Sequence, residues 1–374
     1  TFDPRLISVI PAAVAEAAMK SGVARKKIAD LEIYKDQLTN RLDPTMSLMQ
    51  GINAKVRKNP KRVIFAEGED ENMLKAAIEF GRNKLGTPIL IGAEKRIKEQ
   101  LKNIGLDENY KIDIVNSTDK VKREKYVRHL YKRLQREGQL ERDVDRLVRN
   151  ERIAWGASMI ACKDADAMVT GNIRHYAASI EKLKKVTDPR PGEEIFGMTM
   201  ITLKGKTILV ADTNVQDFPS PERLVKVSKS CVRVARLFGF DPKVAFLSHS
   251  TFGKPISKNT KHVRDAIQLL KNEKVDFDFD GEMQPDVALN PIYQEIYPFS
   301  KIVGNANILI MPALHSASIS TKLMKVFGGG KLIGPLLIGL GSPIEVAPLR
   351  ASTSEILNLA SIAAYSSDVF DYSN

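Results

Sequence analysis

At 374 residues, with 43% apolar and 27% charged residues, the chain has the composition of a soluble globular protein long enough for two domains. No apolar run approaches the ~18 residues of a spanning helix, and no charged-then-apolar leader is present, so membrane insertion and export are not expected. The net charge of +12 suits an anionic small ligand; it is densest over Lys120–Arg152, where six acidic residues interleave and aromatics are sparse, so a solvated helical face is expected there rather than a nucleic-acid surface.

Taken in order, the chain opens on Thr1 and runs into Ala12–Ser21, a small-residue helix closed by Gly22. A chain that begins inside a well-formed element reads as a piece of a longer protein. Helices are expected over Asp30–Leu42, closed by Asp43-Pro44, and over Ser47–Asn59. The pattern then changes. Arg62–Ala66, Thr87–Gly92 and Ile112–Asn116 read as strands, alternating with helices at Glu71–Asn83 and Lys95–Ile104. That alternation demands a mostly parallel sheet with helices on its faces. Thr118–Glu137 and Asp143–Ala161 read as helices, Ala167–Gly171 as a strand and Tyr176–Lys185 as a helix, before Asp188–Gly192 breaks the chain.

Beyond the break, Phe196–Leu203 and Lys206–Asp212 read as strands around a Lys204-Gly205 turn, and Ser220–Phe238 as a helix with Pro221 in its first turn. Lys243–Leu247, Phe277–Phe279 and Ile308–Met311 read as strands, Lys261–Lys271 and Ser316–Phe327 as helices. Near the end, the apolar run Leu332–Ile338 leads into Gly339–Arg350, a Gly/Pro-rich turn, and Ser352–Glu355 reads as the start of a capped last helix. Such a turn before a helix is where α/β enzymes handle phosphate.

Four loops follow strands: 170–174, 248–253, 280–286 and 312–318. In a parallel sheet they gather at the carboxyl edge, where ligands bind. Ser248–Gly253 offers hydroxyls and a close-approach glycine, and an ordinary polar loop is an equal reading. Asp280-Gly281 reads equally as a plain turn. His129, His175, His249, His262 and His315 are scattered without zinc spacing, so no metal site is expected. Gly328–Gly334 lacks the Gly-Lys-Ser/Thr of a P-loop and follows a helix, so it reads as a cap and loop. Cys162 and Cys231 form no disulfide framework and suit a reducing, cytoplasmic interior.

From about residue 62 to 366 the chain resembles the phosphate acetyl/butyryltransferase family. The resemblance is carried by Arg62-Val-Ile-Phe-Ala-Glu-Gly-Glu-Asp70, Asp164-Ala-Asp-Ala-Met-Val-Thr-Gly171, Val244–Gly253, Phe279–Asp286, Ala306–Pro312 and Ile333–Leu340. Asp188–Gly192 and His315–Lys322, with Phe2–Lys26, are similar to the transferase-like tail of bacterial fused malic enzymes and the helices before it. The resemblance implies an α/β protein of two domains with mostly parallel sheets flanking a cleft, as in phosphotransacetylases and isocitrate-dehydrogenase-like folds. It implies that 1–44 belong to the upstream catalytic region and linker, 45–191 plus 332–374 to a discontinuous first domain, and 192–331 to a second, dimerising domain.

Departures from the family pattern set the functional expectation. Active transferases carry Ser-Arg-Pro-x-Asn-Asp-Leu-Ser-Arg-Gly after the Gly-Leu pair. Here Ser342 stands at the first Arg, Val346 at the Asp and Leu349 at the second Arg, while Glu181 replaces an Arg of a Thr-Leu-Arg-Pro pattern. A guanidinium clamp and a candidate base are thereby lost, so no catalytic residue is expected. Glu345 and Arg350 lie nearby but out of register. The resemblance implies acetyl-CoA as an allosteric inhibitor, bound by Thr170, Gly171, Asn172, Ser248, Ser250, Thr251, Gly253, Asn305, Pro312, His315, Ser316, Ser318, Gly341 and Ser342. NADP and a divalent metal would belong to the upstream region, whose reaction is the oxidative decarboxylation of malate to pyruvate. Self-association as a dimer and higher oligomer is expected; nucleic acid and membrane partners are not. An active acyltransferase and a purely structural assembly module are the alternatives.

Overall fold

The computed structural model describes residues 6–26, 28, 30–31, 34, 44–106, 111–203, 205–212, 215–257, 260–328, 331–370 and 372. The helix expected over Asp30–Leu42 falls mostly outside them. Helix α1 spans Leu6–Lys20, carries Pro11 inside it and is followed by Gly22 in the left-handed region, as its small-residue run predicts. Helix α2, Pro44–Lys58, buries Met49, Ile52 and Val56.

A five-stranded sheet follows, with β1 at Lys61–Phe65, β2 at Gly86–Ile91, β3 at Asp113–Val115, β4 at Ala167–Gly171 and β11 at Ile344–Ala347. Its order is β11-β4-β1-β2-β3 and every pairing is parallel. Right-handed crossovers require a helix between successive strands. These are α3, Glu71–Arg82, and α4, Glu94–Asn103, then α5, Lys120–Leu134, α6, Glu141–Asn150, and α7, Arg152–Ala161. Helix α8, Tyr176–Val186, leaves β4. One face of this sheet packs Val63, Phe65 and Val169 on α3, α4 and the last helix; the other packs Ile64, Met168, Ile344 and Val346 on α5 to α8.

The expected single helix over Asp143–Ala161 is two. Glu151 breaks it in an extended conformation, its carboxylate held by Lys182 (2.6 Å) and by Arg174 (3.5 Å). Tertiary ion pairs, invisible in the helical periodicity, hold the residue at that break.

The second sheet holds β5, Phe196–Leu203, β6, Lys206–Ala211, β7, Lys243–Leu247, β8, Asp278–Met283, β9, Ile308–Ile310, and β10, Lys331–Ile338. Its order is β10-β5-β6-β9-β7-β8, antiparallel at the β10 end and parallel beyond β6. Helices α9, Pro221–Leu237, and α10, Lys261–Glu273, cover one face; α11, Pro285–Leu289, and α12, Leu314–Gly328, lie toward the other. Residues 332–338, expected with the first body, pair antiparallel with β5 from Lys331↔Thr202 to Ile338↔Phe196, so the chain returns to the first sheet only at β11. Helix α13, Thr353–Val369, starts in the expected capping box of Ser352 and Glu355 and packs against both β10 and β11.

Candidate functional site

The stretch 339–350 is not a loop throughout. Ile344–Ala347 pairs with β4 from Ile344↔Met168 to Ala347↔Gly171. That register decides which predicted site residues meet. Gly341 and Ser342 lie at the amino edge of the first sheet, whereas Thr170, Gly171 and Asn172 lie at its carboxyl edge, roughly 15 Å away along the strands. The two groups stand at opposite edges of the sheet.

At the carboxyl edge the centre is Glu67, fully buried just after β1. Thr170 Oγ1 donates to Oε1 (3.0 Å) and the Gly171 N–H to Oε2 (3.0 Å). Burial pushes the Glu67 carboxyl up to about 7, against the lowering influence of Arg174, these two hydrogen bonds and Arg152. Asn172 has a left-handed backbone (φ 66°) and donates from Nδ2 to Asp70 (2.6 Å), while its carbonyl accepts from the Arg350 N–H (2.9 Å). Gly171 also has positive φ, and a Cβ there would strike the Ala347 carbonyl oxygen. Thr170, Gly171 and Asn172 therefore tie β1, β4 and β11 together with their polar groups turned inward.

The second sheet repeats the device. Glu282, in β8, is 1% exposed and accepts from Ser250 Oγ (3.0 Å) and the Gly253 N–H (2.9 Å). Asp280–Met283, expected as a loop, is strand, because β7 holds it in parallel pairing. Ser248 accepts weakly from the Ser250 N–H (3.4 Å), and Thr251 Oγ1 accepts from the Gln284 N–H (3.1 Å). Pro312 lies at the carboxyl end of β9, its carbonyl against His262 Nε2 (3.0 Å). His315 is exposed, with its ring 6.0 Å from Phe218. Ser316 Oγ donates back to Ala313 O (2.7 Å), and Ser318 O accepts from Thr321. These loops share the carboxyl edge of the parallel strands. Asn305 does not join them: it precedes β9, and its amide spans Ile302 O (2.8 Å) and Lys243 Nζ (3.3 Å) at the opposite edge.

Between the sheets lies a seam made by 188–195 and 337–345. The Gly341 N–H donates to Asp188 O (2.7 Å) and the Arg190 N–H to Gly339 O (2.8 Å). The cations along it are neutralised in place: Arg190 by Glu193 (3.0 Å), Arg233 by Glu193 (2.7 Å), and Arg223 and Lys226 by Glu194 (2.6 and 3.0 Å). Arg190 also stacks on Phe370, 4.1 Å from the ring centre. Glu345 is 3% exposed and accepts the Leu337 N–H (2.9 Å); burial pushes its carboxyl up to about 8. The buried Tyr176 hydroxyl has no hydrogen-bond partner, and burial, then Glu345 and Asp212, push it well up.

The replaced family positions divide in the same way. Val346 is fully buried in the apolar layer under α5 to α8. Ser342 is half-buried, Leu349 is 45% exposed, and Glu181 is exposed on α8. Strand alternation places Glu345 on the face opposite Val346, which is the physical content of its being out of register. Sequence reasoning does not single out Glu67 or Glu282, and it names Glu345 only to set it aside as out of register. The first two carry a faint signal, a glutamate beside a glycine at a strand end. Among the described residues no three His, Cys, Asp or Glu side chains converge as a metal set, and no helix is long and apolar enough to cross a membrane.

Residues 47–364 match the family described as Phosphate acetyl/butaryl transferase. An NADP-dependent malic enzyme of Rhizobium meliloti is 46% identical over 365 residues, covering 97% of this chain and 48% of that protein, so the chain spans about half the length of this relative. A phosphate acetyltransferase of Clostridium acetobutylicum is 29% identical over 328 residues, 85% of this chain and 97% of its own. Among solved structures, a phosphotransacetylase from Streptococcus pyogenes superposes with a TM-score of 0.78 at 26% identity, over 87% of this chain and 99% of its own. With the two-sheet architecture shared and most of its length matched, the chain belongs to the phosphate acetyl/butaryl transferase family.

Proposed function

We propose that the chain is the transferase-like part of a longer malic enzyme, that it binds acetyl-CoA between its two sheets as an inhibitory effector, and that it does not transfer acetyl groups. Val346 carries the reading. At the position where the transferase pattern needs a carboxylate, a valine is fully buried in an apolar cluster, and its charged neighbour Glu345 faces the other way. Ser342 and Leu349 supply no guanidinium, and the seam cations are already paired with carboxylates. Losing one charge-stabilising group costs about 3–4 kcal/mol in an oxyanion-type site, so several losses remove useful turnover. A cleft can keep its ligand while losing groups needed only in the transition state. The loops 248–253 and 312–318, which keep the family wording, sit together at one edge and support the ligand half of the reading. The oxidative decarboxylation of malate, with NADP and a divalent metal, is assigned to the upstream region, and the whole protein to the cytoplasm.

Two measurements test this. A coupled assay for CoA-dependent release of phosphate from acetyl phosphate is expected to give no turnover above background; robust turnover sinks the reading. Calorimetry with acetyl-CoA is expected to show saturable binding. A null titration at about 1 mM ligand favours a second reading, an assembly module. One observation supports that alternative: α12 exposes Ile319, Leu323, Val326 and Phe327 at helical spacing, an apolar stripe suited to a second copy of the chain.

A further inference from the structure

The outer edge of the second sheet carries a crevice that the reading above does not use. It measures about 480 Å³ and lies along β8, the edge strand, beneath the end of α10. Its walls hold four phenylalanines. Phe277 and Phe279 meet edge-on at 5.9 Å, and Phe252 and Phe299 at 4.8 Å. Phe299 is 66% exposed, a large ring held at the surface.

The same crevice is ringed by Lys271, Lys274 and Lys301. Cations on the neighbouring helix α9 are each matched: Lys229 by Glu273, Arg233 by Glu193 and Arg236 by Asp276. Among the described residues no carboxylate pairs with Lys271, Lys274 or Lys301. The single acid lining the crevice, Asp280, accepts the N–H of its own neighbour Gly281 (2.9 Å). Lys271 and Lys274 end α10, where helix carbonyls favour positive charge. That accounts for two of the three. Lys301 comes from a separate segment, after Phe299, and brings a third charge to the same rim.

One exposed ring, Phe299, over three half-buried ones and beside unpaired cations is what a flat ring bearing phosphate requires, stacking on one wall and ion-pairing on the rim. The volume is within the range of small-molecule sites, roughly 300–1,000 Å³. The geometry points to a binding site for a nucleoside phosphate in this crevice, on the outer edge of the second sheet and separate from the cleft between the sheets. The shared chemistry is that of a free nucleotide and of the nucleotide end of CoA.

Calorimetric titration of the chain with ADP, adenosine and pyrophosphate tests it. ADP is expected to bind once in the crevice, with adenosine and pyrophosphate each weaker by at least about tenfold. The double variant Lys274→Glu/Lys301→Glu is expected to weaken ADP by at least about tenfold. Phe299→Ala, at a ring that is mostly exposed, should weaken ADP but leave pyrophosphate unchanged. Pyrophosphate binding as tightly as ADP, no ADP binding at about 5 mM, or ADP binding indifferent to both variants would each overturn the site. Competition separates the sources. CoA that displaces ADP marks the nucleotide end of CoA, and CoA that does not marks a free nucleotide. Acetyl-CoA binding retained in the lysine variant with ADP binding lost supports two distinct sites, and a failure of acetyl-CoA to bind anywhere leaves the ADP result standing on its own.

Discussion

Glu67 and Glu345 are both buried glutamates of the first sheet, and both have raised carboxyl pKa values, yet they are held in different ways. Glu67 ends the central strand and sits in a built receptacle: a hydroxyl, a backbone N–H and two arginines oppose the cost of burying its charge. Glu345, on the edge strand at the seam, has one backbone N–H against its burial. A buried carboxyl with donors and cations can be an anchored anion; one with a single donor is most stable carrying its proton. The carboxyl edge of the sheet is thus a fixed polar joint, whereas at the seam, beside arginines already paired with Glu193 and Glu194, burial favours the protonated form of Glu345.

The sharpest way to break this contrast is Val346→Asp. It places a carboxylate on the other face of the same strand, in an apolar layer and without even the N–H that Glu345 has. The expected loss is about 3 kcal/mol or more in urea unfolding at pH 7, with no gain of acetyl transfer even when combined with Ser342→Arg. A stable, transferring double variant would mean that the layer opens to admit the charge.

Glu67→Gln should cost about 2 kcal/mol. The amide oxygen can still accept the Gly171 N–H, but its NH₂ group then faces Thr170 Oγ1, whose hydroxyl must turn to accept and gives up its own acceptor, and the attraction of Arg174 and Arg152 for a carboxylate is lost. Equal urea midpoints for the variant and the parent chain would remove Glu67 from its role as joint.

The mildest change is Glu345→Gln, which keeps an acceptor for the Leu337 N–H and is expected to match the parent at about pH 5 and to be the more stable chain at neutral pH. Its signature is in pH. The folded pKa of Glu345, about 8, lies above the ordinary carboxyl value of 4.5. Its contribution is therefore complete below about 4.5 and is lost as pH rises through about 8, because the folded chain keeps a proton that the unfolded chain releases. Stability of the parent relative to Glu345→Gln should fall between about pH 5 and pH 8 and level off above that. A constant difference across that range would show that Glu345 is ionised in the fold.

Much of the architecture was legible in residue order. The strand–helix alternation from 62 to 116 became β1 to β3 with α3 and α4, because local periodicity and glycine punctuation agree with the tertiary arrangement there. The capping box at Ser352 is a four-residue motif whose partners are its own neighbours, so sequence is enough to find it. Elsewhere the signal was non-local. Strand β11 is four residues long, bounded by Pro343 and Pro348 with Glu345 inside, and it reads as a turn until β4 is beside it. The strand character of Asp280–Met283 was hidden by a turn-like Asp-Gly pair that β7 overrides. Of the predicted ligand residues, 248–253 and 312–318 come to a common edge, while strand register puts Gly341 and Ser342 at the opposite edge of the first sheet from Thr170–Asn172, and Asn305 precedes β9.

By itself the sequence determined the class of fold, the family and which residues stand at 342, 346 and 349, because these depend on residue identity and short-range pattern. Only the tertiary structure decided where those side chains lie. Pairing β11 with β4 buries Val346 in an apolar layer, turns Glu345 to the opposite face and puts Ser342 at the far edge from Asn172. Strand alternation is a period of two, and register across a sheet is fixed by partners distant in the chain, so no local reading of that stretch could say which of its side chains face the cleft and which face the core.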